Sequence, residues 1–527
     1  MLFSLLCGAA TVVTATASTL VTRVSQDVPV DAASSILAPF VSFSIEFSSF
    51  PDFAGNKSQP NKFSNQLLEN LGHIQGVKPY IRVGGNTQDF ALYDANLETQ
   101  INGTVIPSLS EDYPSIISIG PSYFEAYDTF PGVKFSHGFN LGKNTTEGLN
   151  TLLATVPLAC KALSHGNFAH WELGNEPDLF NRQVRPKNWK EIDYVEEWLS
   201  KSRIIHRQLM RACPHLAHEY NYLAPSFAGT ANGLDPVKTW QAGIDSDADI
   251  KLNSMHNYMG GADSPGVTLA RTLMNHTAVV AKVQSHVAVM KSLEAKGLAK
   301  GVPYILGEMN SLYHQGKPGL SNSFGAALWG VDFNLYCASQ NIRRTHMHQG
   351  TNYRYASWQP IETNKTSIGT KAPYYGNAFV AAMLSVGTNR SHADVQVVNL
   401  PMEQETESAY AAYVDGKLSR IGVVNMQQYN YTVDTGSTAV VRPSTSYQFH
   451  VPGISSNPIP VRRLMANGTD SITGITWDGW SYNYELDGGN PVRLSNVTIG
   501  ETVQADTDGI IRVELPLSSA ALLSFGN

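Results

Sequence analysis

Two glutamates draw attention because of what precedes each of them. Glu176 stands in Gly174-Asn175-Glu176-Pro177 and Glu308 in Gly307-Glu308-Met309-Asn310, and both close an apolar run. Two carboxylates facing one another are what cleavage of a glycosidic bond requires. One protonates the departing oxygen, and the other attacks, or activates water at, the anomeric carbon. At a separation of about 5–5.5 Å the second is a nucleophile and configuration is retained. The amide of Asn175, next to the acid, is placed to hold a sugar 2-hydroxyl. The structural alternative is that both are solvated rim residues. A solvated rim residue does not account for two such glutamates, each ending a strand in a fitting strand order.

Glutamates so placed must be carried by a scaffold that presents strand ends at one mouth. From Phe40 to about Gly350, short apolar segments alternate with helical ones. They begin at Val41, Tyr80, Lys134, Phe168, His218, Leu252, Pro303 and Arg343. Eight strands alternating with helices predict a parallel closed barrel, an α/β (β/α)8 fold with its active site at the C-terminal strand ends. The clearest helix spans 267–296, with Val280, Val283, Val287 and Met290 at helical spacing. From 386 to 527 the texture changes to short alternating strands with turns at Asp415-Gly416 and Asp508-Gly509, which reads as a C-terminal all-β sandwich. The barrel is assigned to 39–385. The segment 19–38 is read as a strand joining the sandwich.

The 527 residues exceed what one compact core holds. A net charge of -7 without a basic run argues against a nucleic-acid partner. Residues 1–18 are apolar and then small, as in a signal peptide cut near Ala17 or Ser18, so a secreted protein with no membrane segment in the mature form is expected. Sequons at Asn56, Asn102, Asn144, Asn275, Asn364, Asn389, Asn430, Asn467 and Asn496 are candidate N-glycan sites. Past Cys7, the cysteines Cys160, Cys213 and Cys337 match no zinc spacing. They read as buried small hydrophobes, and one disulfide with one free thiol stays open. Zinc-protease, G-x-S-x-G and dinucleotide motifs are absent, and the two-carboxylate scheme requires no metal or other cofactor.

The Asn-Glu pair after strand four with Glu after strand seven resembles clan A glycoside hydrolases. SIEFSSFPDFAGN from Ser44 and IRVGGNTQDFALY from Ile81 narrow the resemblance to glycoside hydrolase family 79, the β-glucuronidase and heparanase family, in its fungal secreted form. The resemblance implies Glu176 as acid/base, Glu308 as nucleophile, Glu46 as a carboxylate for sugar hydroxyls, and Asn175 on the 2-hydroxyl. It also implies Tyr258 and Tyr313 as active-site tyrosines, with Gly350 and Tyr353 for the glucuronate carboxylate. Tyr355 is the alternative to Tyr353. Arg82 is read as bracing the nucleophile or the barrel. The implied substrate is a glucuronate-bearing glycan, 4-O-methylated or not. A heparanase-like endo enzyme and a non-catalytic carbohydrate-binding barrel are the rival readings. The oligomeric state stays open.

Overall fold

The structure is a computed structural model that describes residues 16–386, 393–431 and 442–526. The expected closed barrel is present. Its eight parallel strands are, in order, Val41–Glu46, Ile81–Gly84, Phe135–Phe139, Phe168–Leu173, Tyr222–Phe227, Ile250–Gly261, Tyr304–Tyr313 and Ile342–Gln349. The first and eighth pair directly, Phe43 opposite Met347 and Ser44 opposite His348, which closes the ring. Strands this thoroughly buried need apolar side chains on both faces, and Phe43, Ile45, Val83, Trp171 and Leu306 are all inaccessible to solvent.

Several local expectations are corrected. The seventh strand does not stop at Asn310 but runs on to Tyr313, and its partner continues to Gly261. Glu308 and Tyr258 therefore sit inside long strands. The ladder register slips between Met255 and His256, so His256 faces Glu308. An irregularity of this kind beside a site re-aims side chains. The helix predicted over 267–296 is broken: Leu269–Leu273 forms one turn, and the helix proper is His276–Ala295, capped where the Asn275 side chain accepts from the Ala278 N–H. Cys160 and Cys213 are not simply buried hydrophobes but form a disulfide, while Cys337 is free and buried.

A three-stranded sheet, Ala91–Tyr93, Ile116–Ile119 and Ile101–Thr104 in spatial order, leaves the barrel after its second strand. It has no counterpart in the alternation of strands and helices expected from the sequence. Beyond the barrel, antiparallel strands from Val395 to Ser524 form a large sheet, faced by a small sheet of Thr16–Arg23, Ser444–His450 and Ile510–Pro516. Residues including Ile421, Val423, Phe449 and Val513 form the apolar core between them. The hairpin at Asp415-Gly416 turns with both residues at positive φ, 50° and 80°. Thr16–Arg23 runs parallel to Ser444–His450, with Val21 opposite Gln448.

Helices Phe324–Ser339 and Ala372–Met383 lie between barrel and sandwich and are buried almost all round, as an apolar composition on every face demands. They approach closely at Gly376, where a Cβ would stand 2.5 Å from the Ala327 carbonyl oxygen. Across the same junction the Asp332 carboxylate accepts from the Tyr410 hydroxyl (2.5 Å) and meets His276 Nδ1 at 2.9 Å. Among the described residues, no helix is long and apolar enough to cross a membrane.

Candidate active site

Glu176 follows the fourth strand with a backbone at φ 50° and ψ 48°, a left-handed conformation uncommon outside glycine. It is over-determined there. Its N–H donates to the Ser226 carbonyl (3.0 Å), and Asn175 N–H donates to Asp89 (2.7 Å). Asp178, two residues on, accepts from the Ala228 N–H and from Asn232. The turn is thereby locked to the fifth-strand loop, and strain held this way is characteristic of functional positions.

Glu308 reaches the same space from the seventh strand. Arg82, wholly buried on the second strand, donates to Glu308 Oε2 at 2.6 Å, Glu172 at 2.8 Å, Asn175 Oδ1 at 2.7 Å and Ser44 at 3.0 Å. The Tyr258 hydroxyl donates to the other oxygen of Glu308 at 2.8 Å. Glu176, His256 and Glu308 each present one atom, all within 4.8 Å of one another. A small cation would find three donors there. The guanidinium already on Glu308 opposes one, and suits instead a carboxylate kept anionic.

Electrostatics separate the two acids. Burial and then the Glu308 charge push the pKa of Glu176 well above the usual carboxylate range. Burial alone would raise Glu308 as well, but His348, His256, Arg82 and the Tyr258 hydrogen bond outweigh it and hold Glu308 below that range. Burial lowers His256 to about 4, so it carries charge toward Glu308 only in the acid range and near neutral pH is an uncharged ring 3.0 Å from Glu176.

Glu46, at the end of the first strand, accepts on one oxygen from the Thr87 N–H and hydroxyl. On the other it accepts from the Tyr353 hydroxyl at 3.2 Å, with His348 Nε2 at 3.4 Å. Tyr355 is also buried, its ring centroid 6.1 Å from that of Tyr258, so both candidate tyrosines of this loop enter one aromatic cluster. A Cβ on Gly350 would press the Tyr353 ring at 2.7 Å. Tyr313 packs edge-on against Tyr258 but is 44% exposed, at the rim rather than inside. Gln349 accepts from the Ser357 N–H, the Thr351 N–H donates to the Ser49 hydroxyl, and the Asn352 N–H donates to the Gln359 amide oxygen.

Sequence reasoning gave no role to His256, His348, Glu172 or Tyr113. His348 Nδ1 lies 2.8 Å from the Ser44 hydroxyl and 3.5 Å from Glu308, which bridges the Glu46 and Glu308 sides of the pocket. The two histidines stand in His256-Asn257-Tyr258 and His346-Met347-His348, polar interruptions of buried strands that were the available signal. Tyr113, on the loop of the inserted sheet, packs against the Tyr353 and Tyr355 cluster.

A closed barrel bearing one raised and one depressed glutamate at its mouth defines a glycoside hydrolase scaffold of the two-carboxylate class. Residues 409–522 match the family model described as "Glycosyl hydrolase family 79 C-terminal beta domain". The chain is 61% identical over 511 residues to a β-glucuronidase of Aspergillus niger, covering 95% of this chain and 93% of that protein. It is 52% identical over 523 residues to a β-glucuronidase of Neurospora crassa, covering 92% and 93%. The chain belongs to glycosyl hydrolase family 79. Among solved structures, a 4-O-α-L-rhamnosyl-β-D-glucuronidase from Fusarium oxysporum 12S superposes with a TM-score of 0.77 at 24% identity, over 96% of this chain and 100% of that one. A family 51 α-L-arabinofuranosidase from Bifidobacterium longum gives 0.61 at 12% identity, over 97% and 100%. These two likenesses speak for the fold alone.

Proposed function

We propose that the chain is an exo-acting, retaining β-glucuronidase that releases terminal β-linked glucuronate by double displacement. The observation that carries this is the pair Glu176 and Glu308, with carboxylate oxygens within 4.8 Å and opposite biases in protonation. That proximity supports the short carboxyl separation of retaining enzymes over the wider one of inverting enzymes. The identity to two β-glucuronidases supports the choice of sugar.

In this mechanism Glu308, anionic and held on one oxygen by Arg82 and on the other by Tyr258, attacks the anomeric carbon. Glu176, protonated, gives its proton to the departing oxygen. Once Glu308 is an ester its charge is gone, so Glu176 loses its largest like-charge neighbour and becomes the base that activates water. Asn175 is assigned to the 2-hydroxyl, Glu46 to ring hydroxyls, and Gly350 with Tyr353 or Tyr355 to the carboxylate, with Tyr313 at the pocket's rim. Tyr113 packs against the cluster of Tyr353 and Tyr355, whose Tyr353 hydroxyl bonds Glu46, and that crowding of one side supports exo action. The catalytic unit is the barrel, 39–385, propped by the sandwich 386–527 and the segment 19–38. Secretion with N-glycosylation is part of the reading. Asn102, Asn144, Asn364, Asn467 and Asn496 are exposed, whereas Asn389 lies outside the described residues.

The test is turnover of 4-nitrophenyl β-glucuronide against the β-glucoside and β-galactoside, with NMR of the first-formed sugar anomer. Preference for the glucuronide with a β-anomeric product is expected. An α-anomeric product or no preference would overturn the proposal.

A further inference from the structure

His348 stands near the end of the eighth strand, opposite Ser44 of the first, buried and flanked by two carboxylates. Its Nε2 lies 3.4 Å from Glu46 Oε2 and its Nδ1 3.5 Å from Glu308 Oε2, with the Ser44 hydroxyl 2.8 Å from Nδ1. A neutral imidazole carries a proton on one ring nitrogen only, so the bare nitrogen would aim a lone pair toward a carboxylate oxygen. The imidazolium presents an N–H on both sides.

Charge balance points the same way. Glu308 and Glu172 share the single guanidinium of Arg82. Among the described residues Glu46 pairs with no lysine or arginine, and His348 is its one basic neighbour at ion-pair distance. Buried carboxylates left without a cation are costly. The other groups that face the ring are Arg82, which opposes its charge, His256 and Glu176 across the pocket, and the phenol rings of Tyr353 and Tyr355, centroids 6.0 Å and 6.2 Å away. Burial opposes the charged ring, but Glu308 and Glu46 outweigh it and raise His348 above the ordinary histidine value, so at pH 5 it is an imidazolium.

Resting on the double-displacement reading above, we propose that His348 is a positioning residue whose imidazolium, held between Glu46 and Glu308, orients the nucleophile and receives it as the leaving carboxylate when the glycosyl-enzyme breaks down. In that step the water oxygen bonds the anomeric carbon and the water proton passes to Glu176. The bond from the anomeric carbon to Glu308 breaks, and its electron pair returns to the carboxylate. The negative charge reappears 3.5 Å from Nδ1, where a fixed cation lowers the barrier. In the free enzyme the same cation keeps Glu308 ionised at low pH.

The experiment compares the full chain with His348→Gln and His348→Asn, each checked by thermal unfolding. Gln keeps an amide donor for the Glu46 side and Asn one for the Glu308 side, and both lack the charge. The kcat/KM profile is taken on 4-nitrophenyl β-glucuronide. Values of kcat and KM are taken on the dinitrophenyl glucuronide, whose leaving group makes breakdown of the glycosyl-enzyme limiting. We expect the acidic limb to rise by about one pH unit or more in both variants. On the dinitrophenyl substrate kcat and KM should fall together, by about tenfold or more, because the glycosyl-enzyme accumulates. An acidic limb that stays in place, or a dinitrophenyl kcat within about threefold of the parent, overturns the inference. So does a kcat/KM lowered equally at every pH with a fall in unfolding temperature, which marks a merely structural tie. If neither variant folds, nitrogen-15 NMR of the histidines in the parent decides. Trapping Glu308 as its ester with a 2-deoxy-2-fluoro-glucuronosyl fluoride should lower the titration of an imidazole that sits above the ordinary histidine value by about one pH unit or more, and an unaltered titration overturns the inference. A parent that neither turns over the glucuronide nor is trapped removes the double-displacement reading itself, a result distinguishable from the others.

Discussion

Tyr258 and Glu308 meet at 2.8 Å, hydroxyl to Oε1, on the carboxylate oxygen that Arg82 does not hold. Each oxygen of the proposed nucleophile thus has its own donor. Removing the tyrosine donor takes away one of the interactions that keep Glu308 anionic. Activity needs Glu308 ionised and Glu176 protonated, so Glu308 sets the acidic limb of the kcat/KM profile and Glu176 the basic limb. Tyr258→Phe should move the acidic limb to higher pH and leave the basic limb nearly fixed. A pH profile measured on an aryl glucuronide checks both.

Substitution of the two acids should separate their roles. Glu308→Gln abolishes turnover with the fold intact. Glu176→Gln costs roughly 10²–10⁴-fold on substrates with poor leaving groups, the range typical of general acid catalysis, and far less on nitrophenyl glucuronide. Equal losses on both substrate types would count against the acid role of Glu176. Circular dichroism of each variant verifies folding.

Arg82 touches Glu172, Glu308, Asn175 and Ser44 from full burial. Replacing it with Met strands two buried carboxylates without a cation, which costs about 3–5 kcal/mol. Denaturant unfolding of Arg82→Met should read a loss of that order. A loss below about 1 kcal/mol would show that the pairing is energetically idle.

Gly350→Ala places a methyl against the Tyr353 ring at 2.7 Å. That ring is buried and hydrogen-bonded to Glu46, so it cannot yield cheaply. KM for the glucuronide should rise by an order of magnitude or more, with a smaller effect on thermal stability.

The disulfide between Cys160 and Cys213 closes a 53-residue separation and joins the ends of helices Thr146–Ala162 and Glu191–Ala212. Loop-closure entropy assigns such a link about 4 kcal/mol. The double variant Cys160→Ser, Cys213→Ser should unfold at correspondingly lower denaturant while retaining its catalytic constants.

All eight barrel strands were legible because buried parallel strands are nearly continuous apolar runs, and a polar residue that closes one is conspicuous. Glu176 and Glu308 were found that way, and Glu46 came from the family resemblance. What escaped depends on neighbours far apart in the chain. His348 matters because it lies beside both Glu46 and Glu308, and no local pattern encodes that adjacency. The register slip at Met255 and His256 is equally silent in the sequence, although it sets which strand-six side chain faces Glu308. The helix break at Asn275 was readable in principle, since Asn is a strong cap, but apolar spacing upstream masked it. The pairing of Cys160 with Cys213 follows from two helix ends meeting, which spacing does not reveal.

The parallel pairing of Thr16–Arg23 with Ser444–His450 carries a consequence for how the molecule is made. A ribosome delivers the opening strand first, yet its partner emerges only after the entire barrel has been synthesised. Until then the early strand has an unpaired edge, a template for wrong association. The barrel can assemble in the interval, but the sandwich is completed last, from both termini at once. A barrel truncated of everything beyond 386 would keep that strand permanently without its mate, so trimming this chain to its chemistry alone would trade a tail for an adhesive edge.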